Sequence, residues 1–229
     1  MIDPFPMYKA FFISLFLLIA QADVFAQSAW KLSTDKEGIK IYTSEVPNSK
    51  VKAVRVECEI NATMAQLVAV LMDVNRSAEW IYHTKSCELI KRVSVDELYY
   101  YSEIDLPWPA SNRDFVAHLT VTHNPVTKVV VIDGPAVAGM VPVKEGIVRI
   151  ANSTGRWILT PDGPDKVKIN YTLHADPGGN IPGWITNMFA TNGPLQIFRK
   201  LKIQVQKPAY KNAAIPAMEG DQYATDTKY

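Results

Sequence analysis

The sequence predicts an α+β domain in which a curved antiparallel sheet wraps a long C-terminal helix. Three observations carry this. Apolar and polar residues alternate in most segments between residues 38 and 175, the period-two signature of strands with one dry face. Two segments have helical spacing instead. The second of them closes the folded part, after the last strand.

The first strand is "GIKIYTSEV" (Gly38–Val46). "KAVRVECEI" (Lys52–Ile60) follows, with Val54, Val56, Cys58 and Ile60 on one face and Arg55, Glu57 and Glu59 on the other. "TMAQLVAVLMDV" (Thr63–Val74) is the first helix. Thr63 with Gln66 three positions on forms a capping box. Leu67, Val68, Val70, Leu71 and Met72 leave it little polar face, so it is expected to be buried. Strands follow at "CELIKRVS", "ELYYYSEIDL", "DFVAHLTVT", "KVVVID", "GIVRIA" and "GRWILT", with turns at "ANSTG" and "PDGPD". The last strand, "KVKINYTLHA", sets Val167, Ile169, Tyr171, Leu173 and Ala175 against Lys166, Lys168, Asn170, Thr172 and His174. The closing helix is expected from Pro182 to about Lys207, with Trp184, Ile185, Met188, Leu195, Phe198 and Val205 on its apolar face. Its approach, "DPGGN", is a sharp turn in which Gly178 and Gly179 tolerate positive φ. Asn180 suits a cap and Pro182 a first turn. Gly193-Pro194 is expected to kink or split the helix, making residues 182–192 a segment able to swing.

The ends read differently. "FFISLFLLIA" (Phe11–Ala20) follows Lys9 and precedes "DVFA", with small residues at the end: a secretory signal peptide over residues 1–26. A membrane span needs roughly 20 apolar residues, and this run is ten. The expected location is therefore exported, periplasmic or secreted. Residues 28–210 form the domain, and residues 211–229, without periodicity, a disordered tail. Losing Lys9, Asp3 and Asp23 with the leader moves the net charge from +1 to +2. A near-neutral chain lacks the basic face that a nucleic acid needs. Cys58 and Cys87 could pair in an exported chain or lie apart as small buried hydrophobes. No residues stand at zinc-ligand spacing, so neither metal nor cofactor is expected.

"W…GIKIY" from Trp30, Asp73 with Trp80, "PWPASNRDFV" (Pro107–Val116), "GIVRI" (Gly146–Ile150) and "DPGGNIPGW" (Asp176–Trp184) occur in this order. Together they resemble the START (StAR-related lipid-transfer) domain family, nearest in flavour to its phosphatidylcholine-transfer subgroup, over about 180 residues. The resemblance implies a helix-grip fold with an apolar tunnel between sheet and C-terminal helix, holding one lipid or sterol. It also implies a lid built from that helix and a loop between two strands.

Strand parity nominates the tunnel wall: Tyr100, Ser102 and Ile104; Phe115, Ala117 and Leu119; Ile169, Tyr171 and Leu173; and Trp184 and Met188 from the helix. Arg149 has inward parity and is a candidate anchor there. The apolar loop "DGPAVAGMVPVKEG" (Asp133–Gly146), with Val137, Met140 and Val141, is the candidate lid loop. Carried over by resemblance, the choline cage falls on Ser102, Phe115 and Ser153, with one aromatic remaining. The phosphate-binding arginine falls near Ser77, beside Arg76. The acid–arginine pair of cholesterol binders falls on Ser102 and Leu119. Arg113 and Asp114 are expected to make a local ion pair. The expected activity is to bind a hydrophobic molecule and carry or sense it, as a monomer touching membranes transiently, without chemistry. The alternative is a cyclase- or hydrolase-like enzyme using Tyr100, Tyr171 and Arg149.

Overall fold

A computed structural model describes residues 30–49 and 51–213. The expected leader and most of the expected tail lie outside these residues. Ten strands form one sheet: β1 (Lys31–Lys36), β2 (Ile39–Ser44), β3 (Ala53–Ile60), β4 (Thr84–Arg92), β5 (Glu97–Ile104), β6 (Arg113–His123), β7 (Val130–Asp133), β8 (Val148–Arg149), β9 (Asn152–Pro161) and β10 (Val167–Asp176). The order is β1-β2-β3-β10-β9-β7-β6-β5-β4, every pair in it antiparallel. Short β8 lies off this path, parallel to β6. The helices are α1 (Met64–Met72), α2 (Gly183–Ala190) and α3 (Asn192–Gln204). The expected antiparallel sheet with a closing helical segment is thus present, with three departures.

The first departure is β1, which the sequence pattern does not reveal. All but one of its residues are exposed, so it has no dry face to generate alternation. It is held by its hairpin. Glu37 (φ 58°) and Gly38 (φ 70°) both adopt the left-handed region that a two-residue turn of this kind needs. The hairpin is also tied to α3, where Arg199 pairs with the Glu37 carboxylate and Lys202 Nζ donates to Glu37 O at 3.0 Å.

The second departure is β9, which starts at Asn152 and runs through the expected "ANSTG" turn. Ser153, Thr154 and Gly155 pair with Ala175, His174 and Leu173. The ladder overrides the local turn chemistry.

The third concerns the closing helix, which is split, one of the two expected outcomes, but not at Gly193-Pro194. The break falls at Thr191, which closes α2 and precedes α3. Gly193 and Pro194 sit in the first turn of α3, where the missing proline N–H costs no helix bond. A Cβ on Gly193 would stand 3.2 Å from Tyr82 Cδ1, so glycine lets that ring pack close. Asn180 does not cap α2. The capping position is Pro182, without a side-chain bond.

The capping box on α1 is formed as expected: Gln66 N donates to Thr63 Oγ1 at 3.2 Å and Thr63 N to Gln66 Oε1 at 2.9 Å. α1 buries Leu67, Val68, Val70, Leu71 and Met72. α3 buries Leu195, Phe198 and Leu201 in the same core, with Ile39, Val56, Leu98, Ile132 and Leu159 from the sheet. Trp157 stands between Phe198 and Tyr171, its centroid 5.5 Å and 4.1 Å from theirs. Beyond α3, Tyr210 is buried and its hydroxyl donates to Asp73 Oδ2 at 2.9 Å. Cys58 on β3 and Cys87 on β4 are unpaired buried thiols. Burial pushes Cys58 up to about 12 and Cys87 up to about 11, so both stay protonated and unreactive at neutral pH.

Candidate functional site

A cavity of about 180 Å³ lies where β3, β5 and β10 face the two C-terminal helices. The sheet contributes Val54, Ile104, Tyr171 and Leu173 to its wall. The helices contribute Ile185, Phe189, Ile197 and Phe198. The wall is almost wholly apolar because each of these strands puts its dry face toward the helices.

Of the residues nominated by parity, Ile104, Tyr171 and Leu173 are on this wall. The β5–β6 ladder pairs Ser102 with Phe115 and Tyr100 with Ala117, so these share a face as expected, but they pack away from the cavity. The Tyr100 ring meets Phe115 edge-on at 5.7 Å. Ser102 Oγ donates to Ser86 O at 3.3 Å. Leu119 and Ile169 belong to the central core. Burial raises the phenol pKa of both Tyr100 and Tyr171 above its ordinary value, so the interior resists a charge.

The helix residues need correction. Trp184 is 53% exposed, and neither it nor Met188 is on the wall. Ile185, on the expected apolar face, is on the wall, joined by Thr186, Phe189 and Ala190. Trp184 and Met188, four apart, share one face of α2, and Ile185 and Phe189 share the one turned to the cavity. Phe189 is also held from outside: Tyr82 and His83 each lie 5.8 Å from its ring.

Arg149 is not a tunnel anchor. It makes a two-pronged pair with Asp114, Nε to Oδ1 at 2.6 Å and Nη2 to Oδ2 at 3.0 Å. Its Nη1 and Nη2 also donate to Val141 O and Pro142 O, both at 3.1 Å. Asp114 is fully buried and accepts a third bond, from the Tyr101 hydroxyl at 3.1 Å. Burial alone would raise its pKa. The Arg149 hydrogen bonds and charge, with the Tyr101 bond, outweigh this and hold it below the usual value. This cluster lies on the opposite face of β6 from Phe115.

The loop it grips is half packed, half free. Ala136 N and Val137 N donate to Ser153 O and Val116 O at 2.9 Å and 2.8 Å. Met140 and Val143 are exposed, at 38% and 70%. Val137, Met140 and Val141 do not line the cavity. The piece that covers it is α2.

Arg113 does not pair with Asp114 either. It is 3% exposed and on the cavity wall. Its Nε donates to Pro177 O and its Nη2 to Gly178 O, both at 2.9 Å, and Nη1 donates to Ser111 O. Burial lowers its pKa. Gly178 and Gly179 (each φ 62°) make the turn that brings those carbonyls to it. The signal was available: Arg113 has the parity of Phe115 and Leu119, which already placed it inward. Arg76, by contrast, is half-exposed beside Asp73, away from the cavity.

A sheet folded around a helical segment, with an apolar cavity between them, defines a helix-grip container. The comparisons make this specific. The START domain model matches residues 18–211, and the chain belongs to the START domain family. An uncharacterized protein of Pseudomonas aeruginosa is 35% identical over 178 residues, 78% of this chain and 87% of that protein. The phosphatidylcholine transfer protein of Bos taurus is 27% identical over 179 residues, 76% of this chain and 82% of that one. The crystal structure of a STAR-related lipid transfer protein fragment from Xanthomonas axonopodis matches with a TM-score of 0.71 at 34% identity. It covers 78% of this chain and 99% of that chain.

Proposed function

We propose that the protein takes up one lipid or similar hydrophobic molecule in the cavity and carries or senses it, without reacting with it. The observation behind this is the apolar cavity between β10 and the split helix. Each methylene moved from water into such a site gains about 0.8 kcal/mol. Relatives named for lipid transfer support the same reading. The protonated tyrosines and thiols of the interior favour a container over a catalyst.

At about 180 Å³ the cavity is below the roughly 300–1,000 Å³ of small-molecule sites. Loading therefore requires α2 to move outward. The breaks on either side of it, Gly178-Gly179 and Thr191, are where it would pivot. Half-exposed Trp184 suits contact with a membrane interface, as do Met140 and Val143 on the loop. The leader pattern of residues 1–26 supports an exported protein, acting as a monomer in the periplasm or outside the cell.

Native mass spectrometry of protein purified from its own host, with extraction of the bound lipid, tests the reading. A stoichiometric hydrophobic molecule is expected. Protein that carries none, and takes none up from phosphatidylcholine or phosphatidylglycerol vesicles, refutes it.

A further inference from the structure

We propose that Arg113 is the head-group receptor of the cavity and that the ligand is an acyl lipid bearing an anionic group, a carboxylate or a phosphate. This rests on the reading of the cavity as a lipid site. The first observation is that Arg113 is a buried cation with no carboxylate bonded to it. Its partners are the carbonyl oxygens of Ser111, Pro177 and Gly178. An arginine side chain forms a fork of N–H donors, one on Nε and two on each Nη. One donor on each Nη is left over. Asp114, its neighbour in sequence, is committed to Arg149 and Tyr101 on the opposite face of β6. Asp176 accepts from Gly178 N at 3.0 Å.

The second observation is the sign of the wall. Among the described residues it carries two cations, Lys52 and Arg113, and no carboxylate. Lys52 is half-exposed and paired with Glu45 at 2.8 Å, so it belongs to the rim. Arg113 is the charge that an occupant meets inside. A buried cation without a counter-ion is costly, and an anion brought by the ligand offsets that cost. The free donors match the fork geometry that arginine offers to a carboxylate or phosphate. The ligand's chain would then lie against Leu106, Ile150 and the α2 residues. The head group would bridge Arg113 and the turn leading into α2, so that binding and lid position are linked.

Matched ligands test this. Lauric acid and 1-dodecanol have equal chains and differ in head-group charge. Titration calorimetry at neutral pH should give at least about tenfold tighter binding of the acid, since a charge-assisted hydrogen bond of the usual strength is worth that much. Equal affinity overturns the proposal while leaving the lipid reading intact. Binding of neither refutes both. Inorganic phosphate at millimolar concentration should not displace laurate. If it does, the site serves a small soluble anion, and the lipid assignment is wrong. In Arg113→Gln the preference for the acid should vanish, the ratio of the two affinities falling to about one whatever loss both ligands share. A purely structural arginine would instead weaken both ligands equally. Arg113→Lys keeps the charge and should keep part of the preference. If the glutamine variant does not fold, the wild-type ratio and the lysine variant decide.

Discussion

Replacing Asp114 by Asn removes one charge and almost no volume. What remains is Arg149, with 15% of its side chain exposed, facing a neutral amide, and Tyr101 with a weakened acceptor. Breaking a buried, hydrogen-bonded ion pair from one side costs about 3–5 kcal/mol, because the surviving charge stays buried. For a domain of this size each kcal/mol moves Tm by roughly 2–4 °C, so Asp114→Asn should melt roughly 6–20 °C lower. The exposed pair Arg156–Asp133, at 54% and 38% side-chain exposure, provides the internal control. Asp133→Asn should cost about 0–1 kcal/mol. Thermal and urea melts of the three proteins measure the difference. The acid side follows from linkage. The Asp114 pKa is lowered on folding, so its contribution is complete above the unfolded value of about 3.9 and fades as pH falls through the folded one. The wild type should therefore lose its advantage over Asp114→Asn below about pH 4. If Asp114→Asn costs under about 1 kcal/mol at pH 7, or the gap does not narrow at all as pH falls below about 4, the pair is no more than a surface contact and the loop is held by something else.

Two further expectations concern the moving parts. Hydrogen exchange should be faster at the amides of Ile185–Thr191 than in β10, and faster still with lipid vesicles present; exchange as slow as in β10, unchanged by vesicles, contradicts a mobile α2. Met140→Asp and Val143→Asp should slow lipid transfer between vesicles while leaving Tm within about 1–2 °C, as exposed positions do; equal loss of transfer and stability would mean that the loop is ordinary core.

Features set by local chemistry were legible in the sequence. Alternation in β3 and β10 placed their faces correctly, and the Thr63/Gln66 pair marked the start of α1. Features set by tertiary neighbours were not. Gly155 reads as a turn residue, yet it sits in β9 opposite Leu173. Across from it, Gly134 is confined by Leu119, whose Cδ2 would lie 2.8 Å from an added Cβ. Gly134 leaves room for the Leu119 side chain, whereas a Cβ on Gly155 would meet only ordinary contacts; period and composition encode neither. Arg149 had inward parity on a regular strand, but β8 is two residues long and parallel to β6, so the parity of a longer strand did not apply. Trp184 failed because helical spacing admits two adjacent stripes, and the cavity takes the one through Ile185 and Phe189. The cavity-facing position of Arg113 was hidden by its neighbour: an adjacent Arg-Asp suggests a local pair, although successive residues of a strand point to opposite faces.

The division of the C-terminal segment separates two properties that a single helix would bind together. α3 carries Leu195, Phe198 and Leu201 into the core, whereas α2 buries Ile185 and Ala190. In the proposed function α2 governs access to the cavity, while α3 carries more of the buried core. Substitutions at the exposed positions of α2, such as Trp184, are then expected to change how fast cargo enters and leaves with little effect on the melting temperature. Exchange rate and durability are then open to independent tuning by mutation, in nature or at the bench.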